Sequence, residues 1–202
     1  MTRHALGYRV AAAAAGAVTL SVIGSSGMAL AADPYGDSDV AVGVDIAAID
    51  DPGVLAMTVA GGSALLTENG STATDRNFTG QLPTVTVTDT RDPADIPAGA
   101  YWYVLGSITD FVGTAGQPTI LSADSFGWTP QLTNGDPGSV SAGDAVEPGE
   151  GFTDSEMLSM AFDSAAIATE GTWSANAALK LRTSPTVAPG QYSATLTLSL
   201  FE

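Results

Sequence analysis

Cysteine is absent from the 202-residue chain, and histidine occurs once, as His4. Basic residues are scarce as well: 6 stand against 22 acidic ones, a formal net charge of −16. Charged residues together make up 14%, against roughly 25% in an average soluble domain, so Thr, Ser and Gly must cover much of the surface. Lack of thiol excludes disulfides, Cys nucleophiles and Cys-ligated zinc. Glycine and proline, at 23 and 11, stay below the share of a low-complexity chain, and 45% of the residues are hydrophobic, enough for a folded core.

The first residues read as an address. Arg3, His4 and Arg9 precede the apolar run Val10 to Gly24, and Ser25 to Ala31 supplies small side chains. That is the order of a secretory leader, expected to be a signal helix over 1–31 with cleavage after Ala31 at the Ala29-x-Ala31 pattern. The run is shorter than the roughly 20 residues that span a bilayer, and no Arg-Arg pair marks the twin-arginine route. Cleavage takes Arg3, His4 and Arg9 with it, leaving 4 basic and 22 acidic side chains, a net of −18, over 32–202. Every mechanism with imidazole as general base then falls away, the Ser-His-Asp triad included. Phosphate backbones and anionic membrane surfaces are repelled by such a charge, so neither nucleic acid nor membrane is an expected partner.

The rest of the chain alternates with period two. Val40, Val42, Val44 and Ile46 form one such set, and Asp50-Asp51-Pro52-Gly53 turns the chain into Val54 to Val59. Thr84 to Thr88 repeats the alternation, as does Tyr101 to Phe111, in which Trp102, Val104 and Ile108 share a face. From Trp173 to Arg182, Ala175, Ala177, Leu179 and Leu181 share another. In the last stretch Tyr192, Ala194, Leu196, Leu198 and Leu200 face a core while Ser193, Thr195, Thr197 and Ser199 face water. Glu68 to Gly80 is polar and without periodicity, and reads as a loop. A long acidic loop is expected over 134–151, where only Val140 and Val146 ask for burial. At Thr153 to Phe162 a capping-box form sets a short helix against a strand, and the strand is the expectation. The fold expected over 32–202 is a single all-β domain, a two-sheet antiparallel β-sandwich of Ig-like, Greek-key type.

Chemistry-bearing groups are few. Among so many acids some pair always lies close, so a carboxylate-dependent glycan hydrolase stays only as a remote alternative, and no aspartic-protease triplet occurs. Calcium is the one metal the composition admits. Asp33, Asp37 and Asp39 are its candidate ligands, although they lack the EF-hand spacing. Lys180 is the single lysine and the only candidate for an isopeptide bond. Tyr101, Trp102 and Tyr103 are the candidate ligand contacts. Period two turns either Trp102 or the tyrosine pair outward, and a tryptophan more often serves the core.

Three segments carry a resemblance: Thr84 to Arg91, Tyr101 to Leu105 leading to Asp110-Phe111, and Gly190 to Leu198. Together they resemble the WxL-type surface domains of Gram-positive bacteria. Trp102-Tyr103-Val104 stands where that family has Trp-x-Leu, with Leu105 one place later, and Leu198 stands where it has a second Trp. The resemblance implies a secreted β-sandwich associated non-covalently with the cell wall, peptidoglycan as ligand, and Trp102 and Tyr103 among the contacts. The expected protein is therefore a secreted, non-catalytic cell-surface module that binds a wall polymer or other surface proteins. A structural subunit assembled by edge-strand pairing is the alternative. No covalent anchor is expected, because Leu82-Pro83-Thr84 lacks the Gly of a sortase motif.

Overall fold

Alternation is strongest in Thr172–Thr183, and that stretch is the spine of the larger sheet. The structure, a computed structural model, describes residues 52–202. The leader, Asp33, Asp37 and Asp39, and the expected strand Val40 to Ile46 lie outside the described residues.

In chain order the described strands are β1 (Leu55–Val59), β2 (Thr67–Glu68), β3 (Arg76–Gln81), β4 (Val85–Asp89), β5 (Tyr103–Ile108), β6 (Val112–Gly113), β7 (Phe126–Asn134), β8 (Val140–Ala142), β9 (Glu156–Ala161), β10 (Thr172–Thr183), β11 (Tyr192–Ser193) and β12 (Leu196–Phe201). Among the described residues helix is confined to two single turns, α1 (Ser122–Ser125) and α2 (Ser164–Ile167), and a 3₁₀ turn at Pro93–Asp95. All strand pairs are antiparallel, as expected for an all-β chain.

β10 buries Ala175, Ala177, Leu179 and Leu181 on one face, the set predicted from period two, and Trp173 with them. One of its edges pairs with β7 over Ser174 to Leu181. The other edge is shared, with β4 against Thr172–Ala175 and β3 against Ala178–Thr183. Between those two, the Leu82 N–H donates to the Ala177 carbonyl at 2.9 Å, so the ladder continues across the break. β1 flanks β4, and β2 flanks β3. The smaller sheet has the order β12-β5-β9-β8, and β6 with β11 makes a separate two-stranded pair.

Both sheets feed one hydrophobic cluster. Val85, Val87, Trp128 and Leu179 come from the larger sheet, and Val104, Val140, Leu158 and Ala161 from the smaller. Trp102, Trp128 and Trp173 are all fully buried in it. The Trp102 and Trp173 rings lie 5.5 Å apart, and Phe152 meets Trp128 edge-on at 5.0 Å. Offset and edge-on geometries suit the ring quadrupole and add about 0.5–1.5 kcal/mol per pair beyond burial. Gly106 on β5 makes room for this: a Cβ there would stand 2.6 Å from Trp128.

Two loop expectations are corrected. Within 134–151, β8 pairs with β9 and buries Val140, while Val146 exchanges two 2.9 Å backbone bonds with Trp128. The two isolated valines each found a strand neighbour far away in sequence. Gly127 allows the second contact, since a Cβ there would fall 2.2 Å from the Val146 carbonyl oxygen. Within Glu68 to Gly80, β3 forms despite its polar run because β10 supplies its ladder and Phe78 supplies its buried side. β7 also escaped the sequence reading. Pro130 interrupts its pattern and is tolerated because β7 is an edge strand. At Thr153 to Phe162 the expected strand is present as β9, and a helix turn starts one residue past that stretch, where Asp163 caps the Ala166 N–H at 3.1 Å.

Candidate functional site

The residues of β5 divide by parity. Trp102 and Val104 point into the core, so Tyr101, Tyr103 and Leu105 point away from it. Of the three predicted contacts the structure buries Trp102, which is 1% exposed, and turns the tyrosines outward, Tyr101 with 48% exposure. Trp102 is thus corrected from candidate surface contact to core residue: period two forbids both sets from facing the same side.

Register then extends the outward set across three strands. Tyr103 lies opposite Phe201 of β12 on one side and Met160 of β9 on the other. Directly opposed residues share a face. The Tyr103 and Phe201 rings stack at 5.3 Å and 18°, and Tyr101 tilts against Tyr103 at 6.0 Å. Leu105 stands opposite Ser199 and, across a bulge, opposite Met157. Beyond Met160, Ala161 turns inward and Phe162 outward again, 55% exposed. The result is an uncharged strip of rings and thioethers on the outside of the smaller sheet. Tyr101, Phe162 and Phe201 are exposed in it, and Tyr103, Leu105, Met157 and Met160 are half-buried. Phe201 was missed in the sequence, although the alternation that places Thr197 and Ser199 in water places it there too.

One end of the strip meets an ionic clamp. Arg91 donates to both carboxylate oxygens of Asp89 at 2.9 and 2.7 Å, and to both of Glu202 at 2.6 Å each. Asp89 is 2% exposed. Burial pushes its carboxyl up, but the side-chain and backbone bonds from Arg91 outweigh burial and hold it below the usual carboxylate range. Glu202 is lowered as well, chiefly by its bonds to Arg91, and the Arg91 guanidinium is held still more firmly protonated.

The other cations are engaged too. Arg76 pairs with Glu68 at 2.7 Å, and that bond, with one from Ser71, brings the Glu68 carboxyl down to about 2. Arg182 donates to the Pro148 carbonyl. Lys180 pairs with Glu147 at 2.7 Å in a half-exposed position, unlike the buried setting an isopeptide bond needs. Among the described residues three of the four cations, Arg76, Arg91 and Lys180, are paired with carboxylates. No group of three or more His, Cys, Asp or Glu side chains is arranged around a common point among the described residues. The predicted calcium ligands Asp33, Asp37 and Asp39 fall outside them.

The chain matches no protein-family model, no curated protein and no solved structure.

Proposed function

We propose that this chain is a secreted, non-catalytic surface module that holds a neutral wall polymer or a neighbouring surface protein through the outer face of its β12-β5-β9-β8 sheet. One observation carries the reading: on the outside of a folded domain, where burial alone gives no reason for them, Tyr103 stacks on Phe201 and Tyr101 tilts against Tyr103. Sugar rings and apolar protein surfaces both bind such strips by contact area, and covering a half-exposed ring yields about 2 kcal/mol. The two antiparallel sheets around one core support the finer reading of an Ig-like sandwich. The resemblance to WxL-type domains supports peptidoglycan as the polymer.

Retention on purified cell walls tests it. The intact protein should sediment with the walls, and Tyr103→Ser with Phe201→Ser should weaken retention about tenfold while circular dichroism stays unchanged. A calcium-chelator arm checks the Asp33, Asp37 and Asp39 site in the same assay. A folded protein that stays in the supernatant at all salt and calcium concentrations refutes wall binding; release of sugars refutes the non-catalytic reading.

A further inference from the structure

Asparagine stands directly before glycine twice, at Asn69-Gly70 and at Asn134-Gly135. Such a pair carries a chemistry of its own. The glycine backbone nitrogen can attack the carbonyl carbon of the asparagine side chain, and with no Cβ on the glycine nothing of its own crowds the approach. The attack needs the peptide unit between the two residues to rotate out of its place, so the surrounding fold decides whether a given pair reacts.

The two pairs sit in different settings. Asn134 is the last residue of β7 and lies in the ladder opposite Ser174, and its side-chain amide donates to the Thr172 carbonyl at 3.3 Å. Gly135, at φ +127°, is wedged against the core: a Cβ there would stand 2.9 Å from a Val140 methyl and 3.1 Å from the Trp173 ring, and both of those residues are buried. Rotation of the peptide between Asn134 and Gly135 has to displace them. Asn69 instead follows β2, a strand of two residues. Its N–H donates to the Asn77 carbonyl at 2.8 Å, and its side-chain amide reaches the exposed Thr79 hydroxyl at 3.3 Å. Asn77 donates in turn to the Gly70 carbonyl at 2.9 Å. The peptide unit between Asn69 and Gly70, made of the Asn69 C=O and the Gly70 N–H, takes no backbone partner among the described residues, and a Cβ at Gly70 would meet none of them within 4 Å.

We propose that Asn69 is a site of self-modification, converted through a cyclic imide to isoaspartate and aspartate, and that Asn134 is kept unconverted by the core it touches. In the first step the Gly70 nitrogen gives its proton to solvent and bonds to Asn69 Cγ. The Cγ–Nδ2 bond breaks, and ammonia leaves with a proton taken from solvent. Water then adds to the ring: opening at Cγ gives aspartate, and opening at the main-chain carbonyl carbon gives isoaspartate, whose backbone runs through the former side chain. The sum is one water consumed, one ammonia released and one carboxyl formed, with no oxidant or other reactant. Either product removes the donor to Thr79 and sets a second carboxylate beside Glu68, which already holds Arg76 at 2.7 Å. The longer backbone of isoaspartate also disturbs β2, whose whole register is Thr67 opposite Thr79 and Glu68 opposite Phe78. Conversion therefore loosens this flank of the larger sheet as the protein ages. The proposal goes beyond the surface-binding reading and does not rest on it.

The test incubates the full chain at mildly alkaline pH and 37 °C, folded and in concentrated guanidinium chloride. Peptide mapping by mass spectrometry follows the exchange of NH2 for OH at each asparagine, and an isoaspartyl methyltransferase labels the isoaspartate. In the folded chain Asn69 should convert at least about tenfold faster than Asn134, with label accumulating at position 69. In denaturant the two rates should come together, because unfolding removes the packing on Gly135. A smaller ratio in the folded chain, a ratio that persists in denaturant, no label at position 69, or an Asn69 still intact when the denatured sample has converted would each overturn the proposal.

Discussion

Arg91→Met is the perturbation whose consequence the structure specifies most fully. The guanidinium bridges a buried carboxylate, Asp89, and a partly exposed one, Glu202, and thereby ties the end of β12 to β4. Removing one partner of a buried ion pair costs about 3–5 kcal/mol, because the carboxylate left behind has lost its counter-charge. The value here belongs at the low end, about 3 kcal/mol, since the residue-91 backbone N–H still donates to Asp89 at 3.1 Å and Glu202 can turn to water. The sign of the pH dependence follows from the directions of the shifts. Asp89 and Glu202 have lowered folded-state values, so in the wild type they contribute stability that is complete above about pH 4 and is lost as the pH falls through those lowered values. In the variant, burial acts on Asp89 with little to oppose it, and its folded-state value rises. Acid then protonates it early, and the gap between the two proteins narrows as the pH falls from 7 to 3. Urea unfolding followed by the fluorescence of the three buried tryptophans measures both quantities. A destabilisation under about 1 kcal/mol at pH 7, or one that does not change with pH, refutes the account of the clamp.

Gly106→Ala should cost about 1–3 kcal/mol in the same unfolding assay, because the new methyl meets the Trp128 ring. Trp102→Ala should cost about 3–5 kcal/mol through the loss of a buried ring, and its wall retention should fall only in proportion to the unfolded fraction. Tyr103→Ser should do the reverse, changing stability by about 1 kcal/mol or less while reducing retention. Lys180→Ala should leave stability within about 1 kcal/mol of wild type, since its partner Glu147 is half in water.

Several strands were legible because one face of each is buried by side chains of the same strand. β10 and β12 advertise themselves through alanine, leucine and polar residues in strict alternation, and β4 through valine and threonine. β3 and β7 were not legible. Their pairing lies with β10, about a hundred and about fifty residues away in sequence, and Asn77, Gly127 and Pro130 break any local pattern. β8 escaped for a related reason: three residues between turns carry no period, and only β9 makes them a strand.

The sequence alone determined that the chain has no thiol and a single imidazole, at His4, that it is strongly acidic, and that it folds through period-two segments. Those are properties of residues and of their nearest neighbours along the chain. Only the tertiary structure decided that Trp102 goes inside, that Phe201 stacks on Tyr103, that Arg91 reaches Glu202, and that Leu196 and Leu198 of β12 line a cavity with Met57, Phe78 and Leu179. Each of these depends on which strand lies beside which and in what register, and that is settled by the burial of one shared core, to which residues far apart in sequence contribute.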